Sequence, residues 1–501
     1  MKTCLTSTAK FFQIKQSSIA FFLRQNIWKE NPALLFGLTV LTGISSYALV
    51  FGWIWGLVWG LYLVYEKKTP LLLLLLASTS YSFLLKSEAP TEGVGYFSIS
   101  TLKPHHSPFH TMLQYQGVLS SENRQIPCSI YHPLTRNHPE ANCDYVVEGK
   151  IKETPQGVIL KPTSWHKVQN TWSMGELRFK AKEVFRDFLE KHLHKEDVAS
   201  FLGSLITGDV EKRELRYQFS KLGLQHLLAI SGFHFALLIF FFSLFLNLFL
   251  SPKVKIIALL LLIHSYFFFV GSVPSVQRSY LITLFYLVSL LIDRQTSPLN
   301  LLGAAMLIEC LINPSVITSV GFQLSFVSSA GILLLYRPIE RGILSFLSPS
   351  EDLYLISQHG RIFSLFLLRG MSLSFAVNLA ILPILLYHFH SFPMLSLFYN
   401  LFFPLLVSIA LFMLLISILS YFVFLPLSQF FFTCTDLFTK ELLDLTRYPP
   451  VSLDISLRVS EFPALLIPIY LFFLFYFSVL KTNKLTEENK VVKNLMRNDQ
   501  A

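Results

Sequence analysis

The stretch LQHLLAISGFHFALLIFFFSLFLNLFL, residues 224–250, carries no Asp, Glu, Lys or Arg. At about 1.5 Å per residue a helix of that length reaches about 40 Å, more than the roughly 30 Å hydrocarbon core of a bilayer. It reads as a membrane span with polar groups near its start: His226, Ser231 and His234. The pattern repeats on both sides. Apolar runs lie in 31–65, which is long enough for two short spans, and in 70–85, 256–271, 275–292, 298–312, 317–336, 371–387, 394–415, 418–433 and 463–480. The total is about twelve spans, several of them shorter than the roughly 20 residues that a straight helix needs. Broken or re-entrant helices are tolerated where backbone is buried in protein or lines a wet cavity. The expected fold class is a polytopic α-helical membrane protein.

Composition agrees. Of 501 residues, 52% are hydrophobic, 48 are Phe and only 14% are charged, against about 25% charged in a typical soluble domain. That excludes a large soluble enzyme, and it excludes disorder, which requires low hydrophobicity. Lys and Arg in short loops set orientation. Lys10, Lys15, Arg24 and Lys29 precede the first span, and Lys67, Lys68, Lys253, Lys255, Arg294, Arg337, Arg341, Arg361 and Arg369 mark later loops. The tail after Leu480 carries Lys481, Lys484, Lys490, Lys493 and Arg497. With twelve spans all of these fall on the cytoplasmic side, together with both termini, and the polar segments 87–198 and 435–462 fall outside. Residues 87–198 balance at 13 basic and 13 acidic side chains. The net charge of +10 is therefore mainly a topology signal. Lys10 and Lys15 interrupt any signal-peptide core, and residues 10–30 suit an amphipathic helix on the inner surface.

The outer segment, 87–174, reads as a small β domain. Short β-prone runs at 115–119, 126–131, 145–151 and 158–160 alternate with polar, Gly- or Pro-containing breaks. Four or five such strands suit an OB-like barrel. Lys150, Lys152, Lys161, Lys167, Trp165 and Tyr115 are its candidate contacts to single-stranded nucleic acid. The alternative is a packing module with solvated lysines, and Asp144, Glu148 and Glu153 weaken phosphate attraction. Cys128 and Cys143 are either a disulfide, if the compartment is oxidising, or two separate thiols. Residues 175–204 read as an amphipathic interfacial helix leading into the membrane core, 205–433, with a loop, last span and basic tail at 434–501. His192, His194 and Asp197 superficially suggest a metallo-β-lactamase-type metal motif, but the spacing fails, and no metal or other cofactor is expected.

A longer pattern carries more information. Gly208-Asp209 precedes Leu222-Gly223-Leu224-Gln225-His226-Leu227-Leu228-Ala229-Ile230-Ser231-Gly232-Phe233-His234. Ser272 to Arg278 reads SVPSVQR, and Asn313-Pro314 precedes Gly321-Phe322-Gln323-Leu324-Ser325-Phe326. Leu385-Leu386-Tyr387-His388-Phe389 and Asn400-Leu401 follow. These collinear blocks resemble those of the ComEC family of competence proteins, with Gln225, Phe233 and Phe235 replacing the residues usual there. The resemblance implies a channel for single-stranded DNA across the bacterial inner membrane during natural transformation. It implies receptor and motor or nuclease partners supplied separately, and allows a homo-oligomer. Many relatives carry a metallo-β-lactamase-like domain after the last span. The 21 residues after Leu480 are too few for one, so a nuclease activity is not expected here.

Intramembrane polar groups are expensive and are functional hypotheses by default. His226 and His234, eight apart, are expected on one helix face with Ser231 and Gly232 between them, either lining a pore or hydrogen-bonded as packing groups. Arg278 suits phosphate, which guanidinium binds bidentately, or it pairs with Glu309 or reaches the outer interface. Asp209, Gln323, Asn378 and His388 are further pore or substrate-contact candidates. No catalytic residue is expected, since Ser231 and His234 lack an acidic partner in the span. A permease for another solute and a membrane scaffold for a DNA-uptake assembly stand as alternatives.

Overall fold

The computed structural model describes residues 27–49, 52–84, 92–106, 111–121, 124–133, 138–154, 157–171, 173–210, 212–228, 230, 232–271, 273–347, 358–447 and 456–476. A single helical turn, Ile27–Glu30, comes first, followed by α1 (Pro32–Ala48), α2 (Gly52–Tyr65) and α3 (Pro70–Leu84). Five strands follow: β1 (Glu92–His106), β2 (Thr111–Ser121), β3 (Arg124–Pro133), β4 (Cys143–Thr154) and β5 (Gly157–Asn170). Helices α4 (Met174–His192), α5 (Glu196–Thr207), α6 (Arg213–Lys221) and α7 (Gln225–Leu228) lead to the apolar α8 (Gly232–Leu246), α9 (Pro252–Val270), α10 (Pro274–Leu291) and α11 (Pro298–Ile312). A 3-10 turn, Pro314–Thr318, precedes α12 (Val320–Leu347), α13 (Gln358–Phe389), β6 (Ser391–Pro393), α14 (Ser396–Val423), α15 (Leu425–Arg447), β7 (Ser456–Arg458) and α16 (Leu466–Tyr476). Pro32, Pro70, Pro252, Pro274 and Pro298 each open a helix. Proline lacks an N–H, but first-turn N–H groups have no helical partner anyway, and its fixed φ is already helical.

Among the described residues four helices are long and apolar enough to cross a membrane: Pro252–Val270, Val320–Leu344, Ser364–Phe389 and Ser396–Val423, accompanied by six shorter apolar helices. The chain is thus a helical membrane protein with a small β domain. Two boundaries differ from expectation. The run expected over 418–433 is divided, because α14 continues to Val423 and the chain breaks at Phe424. Helix α15 then runs on to Arg447, through residues expected as loop. Its buried Thr435, Asp436, Thr439, Leu442, Leu443 and Thr446 recur every three or four positions, so one face is covered and the helix persists. The single helix expected over 175–204 is two. Helix α4 ends at His192, and Glu196 and Asp197 in the first turn of α5 favour a fresh helix start through the dipole. The expected N-terminal amphipathic segment and basic tail fall almost wholly in 1–26 and 477–501, outside the described residues.

The chain divides into two compact units: 1–83 with 293–401 and 456–501, and 84–292 with 402–455. In the first, small residues let helices approach closely. A Cβ on Gly303 would overlap the backbone of Leu34, and one on Gly37 would sit 2.6 Å from the Gly303 carbonyl oxygen. Asn300 Oδ1 accepts from Ala33 N at 2.8 Å, which fixes the start of α1 on α11.

In the second unit the strands close a barrel in the order β1-β2-β3-β5-β4, with β4 paired back to β1 and only β3–β5 parallel. The OB-like expectation places strands from Tyr115 onward; β1 lies earlier, and its glycines and Pro104 mask it in the sequence. Phe97, Leu113, Tyr115, Leu119, Ile130 and Val147 fill the interior. The Cys128–Cys143 bond is not formed, and both thiols are buried and free. Strand β5 separates them: Cys128 pairs with Val158 at one end of β5 and Cys143 with Asn170 at the other. A disulfide needs Cα atoms within about 7 Å, and this arrangement forbids that.

Candidate functional site

The start of α4 is built onto the barrel. Ser173 Oγ accepts from Gly175 N at 3.1 Å and donates to Ile99 O at 3.2 Å, beside a bulge in β1 between Ile99 and Thr101. Glu176 Oε2 accepts from Ala141 N at 3.0 Å, and Phe179 enters the barrel core. These contacts fix the face of α4 that carries Arg178, Lys182 and Arg186, spaced four apart and therefore aligned. Opposite them lies the Gly208–Asp209 turn, where Gly208 (φ 78°) caps α5 in the left-handed conformation. Asp209 Oδ2 accepts from Lys182 Nζ at 2.8 Å and from Arg186 Nη2 at 3.3 Å. Lys103, on β1, and Arg178 also lie within the field of Asp209. Burial pushes the ammonium of Lys182 down from its ordinary range, with Asp209 opposing. Lys103 is pushed down the same way, with Arg178 adding to the effect.

Arg178 is held from behind. Its Nε donates to Phe268 O at 2.7 Å, and its guanidinium lies over Gly271, where a Cβ would meet it at 3.2 Å. Gly271 has φ 96° and ψ 169°, a region that only glycine occupies readily.

One step along the chain the motif region folds against the start of α10. Gly208 packs on Ile230, which clusters with Phe235, Val270 and Val276. Ser275 Oγ donates to Ile230 O at 3.1 Å, and Tyr266 Oη donates to Ile206 O at 3.2 Å. Helix α7 ends at Leu228 and α8 begins at Gly232. The shared helix face expected of His226 and His234 is therefore absent: His226 is exposed on α7, whereas His234 is buried in α8. A Cβ on Gly232 would lie 3.3 Å from Ser279 Oγ and 3.5 Å from Arg278 Nη2. Arg278 is 7% exposed. Two helix N-termini, those of α8 and α10, thus meet beside a buried guanidinium. Each carries about half a positive charge, so the arrangement attracts anions. Ser231 lies outside the described residues.

The remaining predicted residues scatter. In the other unit Gln323 and His388 pair, with His388 Nε2 2.9 Å from Gln323 Oε1 while Gln323 Nε2 donates to Ile317 O. Asn378 is buried and donates to Ser374 O at 2.9 Å, a bond within its own helix, and Glu309 is buried in α11. On the barrel Lys150 and Lys161 are exposed and directly opposite each other in the β4–β5 register, with Lys152 exposed two positions on. Trp165 does not offer an open stacking face, for Phe97, Tyr115, Tyr145 and His132 surround it edge-on with centroids at 5.2 to 6.4 Å. His192 and Asp197 are engaged elsewhere. His192 packs among Phe188, Tyr421 and Phe432, and Asp197 pairs with Lys212 and Arg447. Lys103, Arg178, Lys182 and Arg186 do not stand out in the sequence. The four-residue spacing of the last three is the available signal, and the even charge balance of the segment hides it.

Comparison with known proteins agrees with this arrangement of motifs. The competence protein family matches residues 205–484. ComE operon protein 3 of Bacillus subtilis (strain 168) is 30% identical over 203 residues, 40% of this chain and 24% of that protein. The alignment spans about a quarter of the relative's length. No solved structure matches.

Proposed function

The chain belongs to the competence protein family, and we propose that it conducts single-stranded DNA across the cytoplasmic membrane during natural transformation. The observation that carries this reading is the close packing of Gly232, at the start of α8, against Arg278 and Ser279 of α10, with His234 buried two residues further along α8. A translocation path needs polar contact inside the membrane without fixed binding, and discontinuous helices supply it through their dipole ends. There the start of α8 lies against the second turn of α10, with Arg278 a natural bidentate partner for a passing phosphate. The exposed lysines 150, 152 and 161 on the barrel supply sequence-independent attraction to a polyanion. The barrel, α4 and the Asp209 turn lie on the outer side in this reading and both termini on the cytoplasmic side, an orientation that the basic short loops support. DNA receptor and motor proteins act with the chain from outside it.

The test is a pair of point variants, Arg278→Ala and His234→Ala, in transformable cells. Both are expected to reach the membrane at normal abundance, to leave surface DNA binding intact and to lose nuclease-protected DNA. A scaffold role predicts normal internalisation in both. A permease for another solute predicts loss of uptake of that solute with DNA unaffected.

A further inference from the structure

Among the described residues the Asp209 cluster holds more cations than it can serve. Asp209 is hydrogen-bonded by Lys182 and Arg186. Lys103 and Arg178 face the same carboxylate electrostatically, yet the Lys103 ammonium and the two terminal nitrogens of Arg178 donate to no described protein atom. Glu183 and Glu190 offset Arg186 on the outer flank of α4, which leaves the Lys103–Arg178 side the more positive. Both side chains are partly exposed. Arg178 is also pre-positioned, since Phe268 O takes its Nε and Gly271 gives its guanidinium a flat seat, so its remaining fork needs no further ordering before it meets an oxyanion.

We propose that Lys103 and Arg178 form a phosphodiester-binding site for a single DNA strand, and that Asp209 is the internal anion with which the incoming phosphate competes. This rests on the DNA-transport reading above and names a contact for it. A backbone phosphate brings two free oxygens to a fork that takes two, and it supplies the charge that one shared carboxylate leaves uncompensated. Asp209 keeps its hydrogen bonds from Lys182 and Arg186, so the competition is one of charge, phosphate and carboxylate sharing the field of the same cations.

The competition fixes the sign of an unusual variant. Full-length protein in lipid nanodiscs is titrated with a labelled oligothymidylate over a salt series. Lys103→Gln with Arg178→Gln is expected to weaken binding about tenfold or more. The slope of log affinity against log salt is expected to flatten by about 0.7 for each phosphate that is no longer neutralised. Asp209→Asn is expected to tighten binding several-fold. Arg178→Lys keeps the charge and retains most of the slope, which separates charge loss from misfolding. Lys180→Gln, an exposed neighbour on α4 (63% side-chain exposure), leaves both readouts unchanged. Unchanged affinity and slope in the double variant, or unchanged or weaker binding by a folded Asp209→Asn, overturns the proposal. Loss of binding to phosphatidylglycerol vesicles with oligothymidylate binding intact overturns it in favour of a lipid headgroup. Should the double variant lose binding while cells lacking the protein still internalise DNA, the site stands and the transport reading fails. Should those cells lose uptake while the double variant binds normally, the transport reading stands and the site fails.

Discussion

Gly271 stands at the junction of two demands. Its backbone, at φ 96° and ψ 169°, lies where a side chain costs of order 1–3 kcal/mol, and the space above it is filled by the Arg178 guanidinium. Gly271→Ala is therefore expected to lower stability by about that amount and to displace Arg178. The check is the midpoint of thermal unfolding in nanodiscs against the wild type. Arg178→Ala alone removes the clash but not the strain, so the double variant is expected to recover only part of the loss. Little of this is legible in the sequence. Arg278 and His234 stand out because charged and polar groups inside apolar runs are conspicuous, and Asp209 stands out through the Gly208-Asp209 motif. Arg178, Lys182 and Lys103 lie in a segment of balanced charge, and only the fold shows that the cations gather round one carboxylate.

Helices α5 and α15 show a second arrangement of charge. Asp197, in the first turn of α5, accepts from Lys212 at 2.7 Å and from Arg447 at 2.8 Å, and Arg447 also meets Asp444 at 3.1 Å. The hydrogen bond from Lys212, then that from Arg447, holds the Asp197 carboxyl below the usual carboxylate range. A depressed carboxylate stabilises the folded state fully above its unfolded value of about 3.9, and the contribution fades as pH falls through the lower folded value. Asp197 is 45% exposed, so the clasp is worth at most about 1 kcal/mol. Arg447→Ala is expected to lower the melting midpoint slightly at neutral pH, with the gap to wild type closing below about pH 4; a gap that widens in acid contradicts this. At this scale the sequence is readable where chemistry punctuates it. Prolines at helix starts are such local signals, whereas the stop and start at His194-Lys195-Glu196-Asp197 between α4 and α5 falls inside the single helix expected over 175–204. The true break at Phe424 and the extension of α15 to Arg447 depend on what covers the helix, which no single window of sequence contains.

Across the whole molecule, the apolar runs and the family's collinear motifs announce a membrane protein with a β domain, and the fold has both. The barrel's strand order, the thiols held at opposite ends of β5, and the gathering of Asp209, Gly232 and Arg278 into one unit are tertiary facts, made by pairings between residues far apart in the chain. The function proposed for this assembly is passage of one DNA strand through the membrane, so the decisive quantity is DNA that has crossed, as distinct from DNA that has bound. The measurement is labelled donor DNA incubated with transformable cells that lack this protein, treated with external nuclease and scored separately for surface-bound and protected label. The account predicts surface binding at the wild-type level and protected label reduced to background, restored when the full chain is supplied. Protected label at the wild-type level in cells without the protein would contradict it.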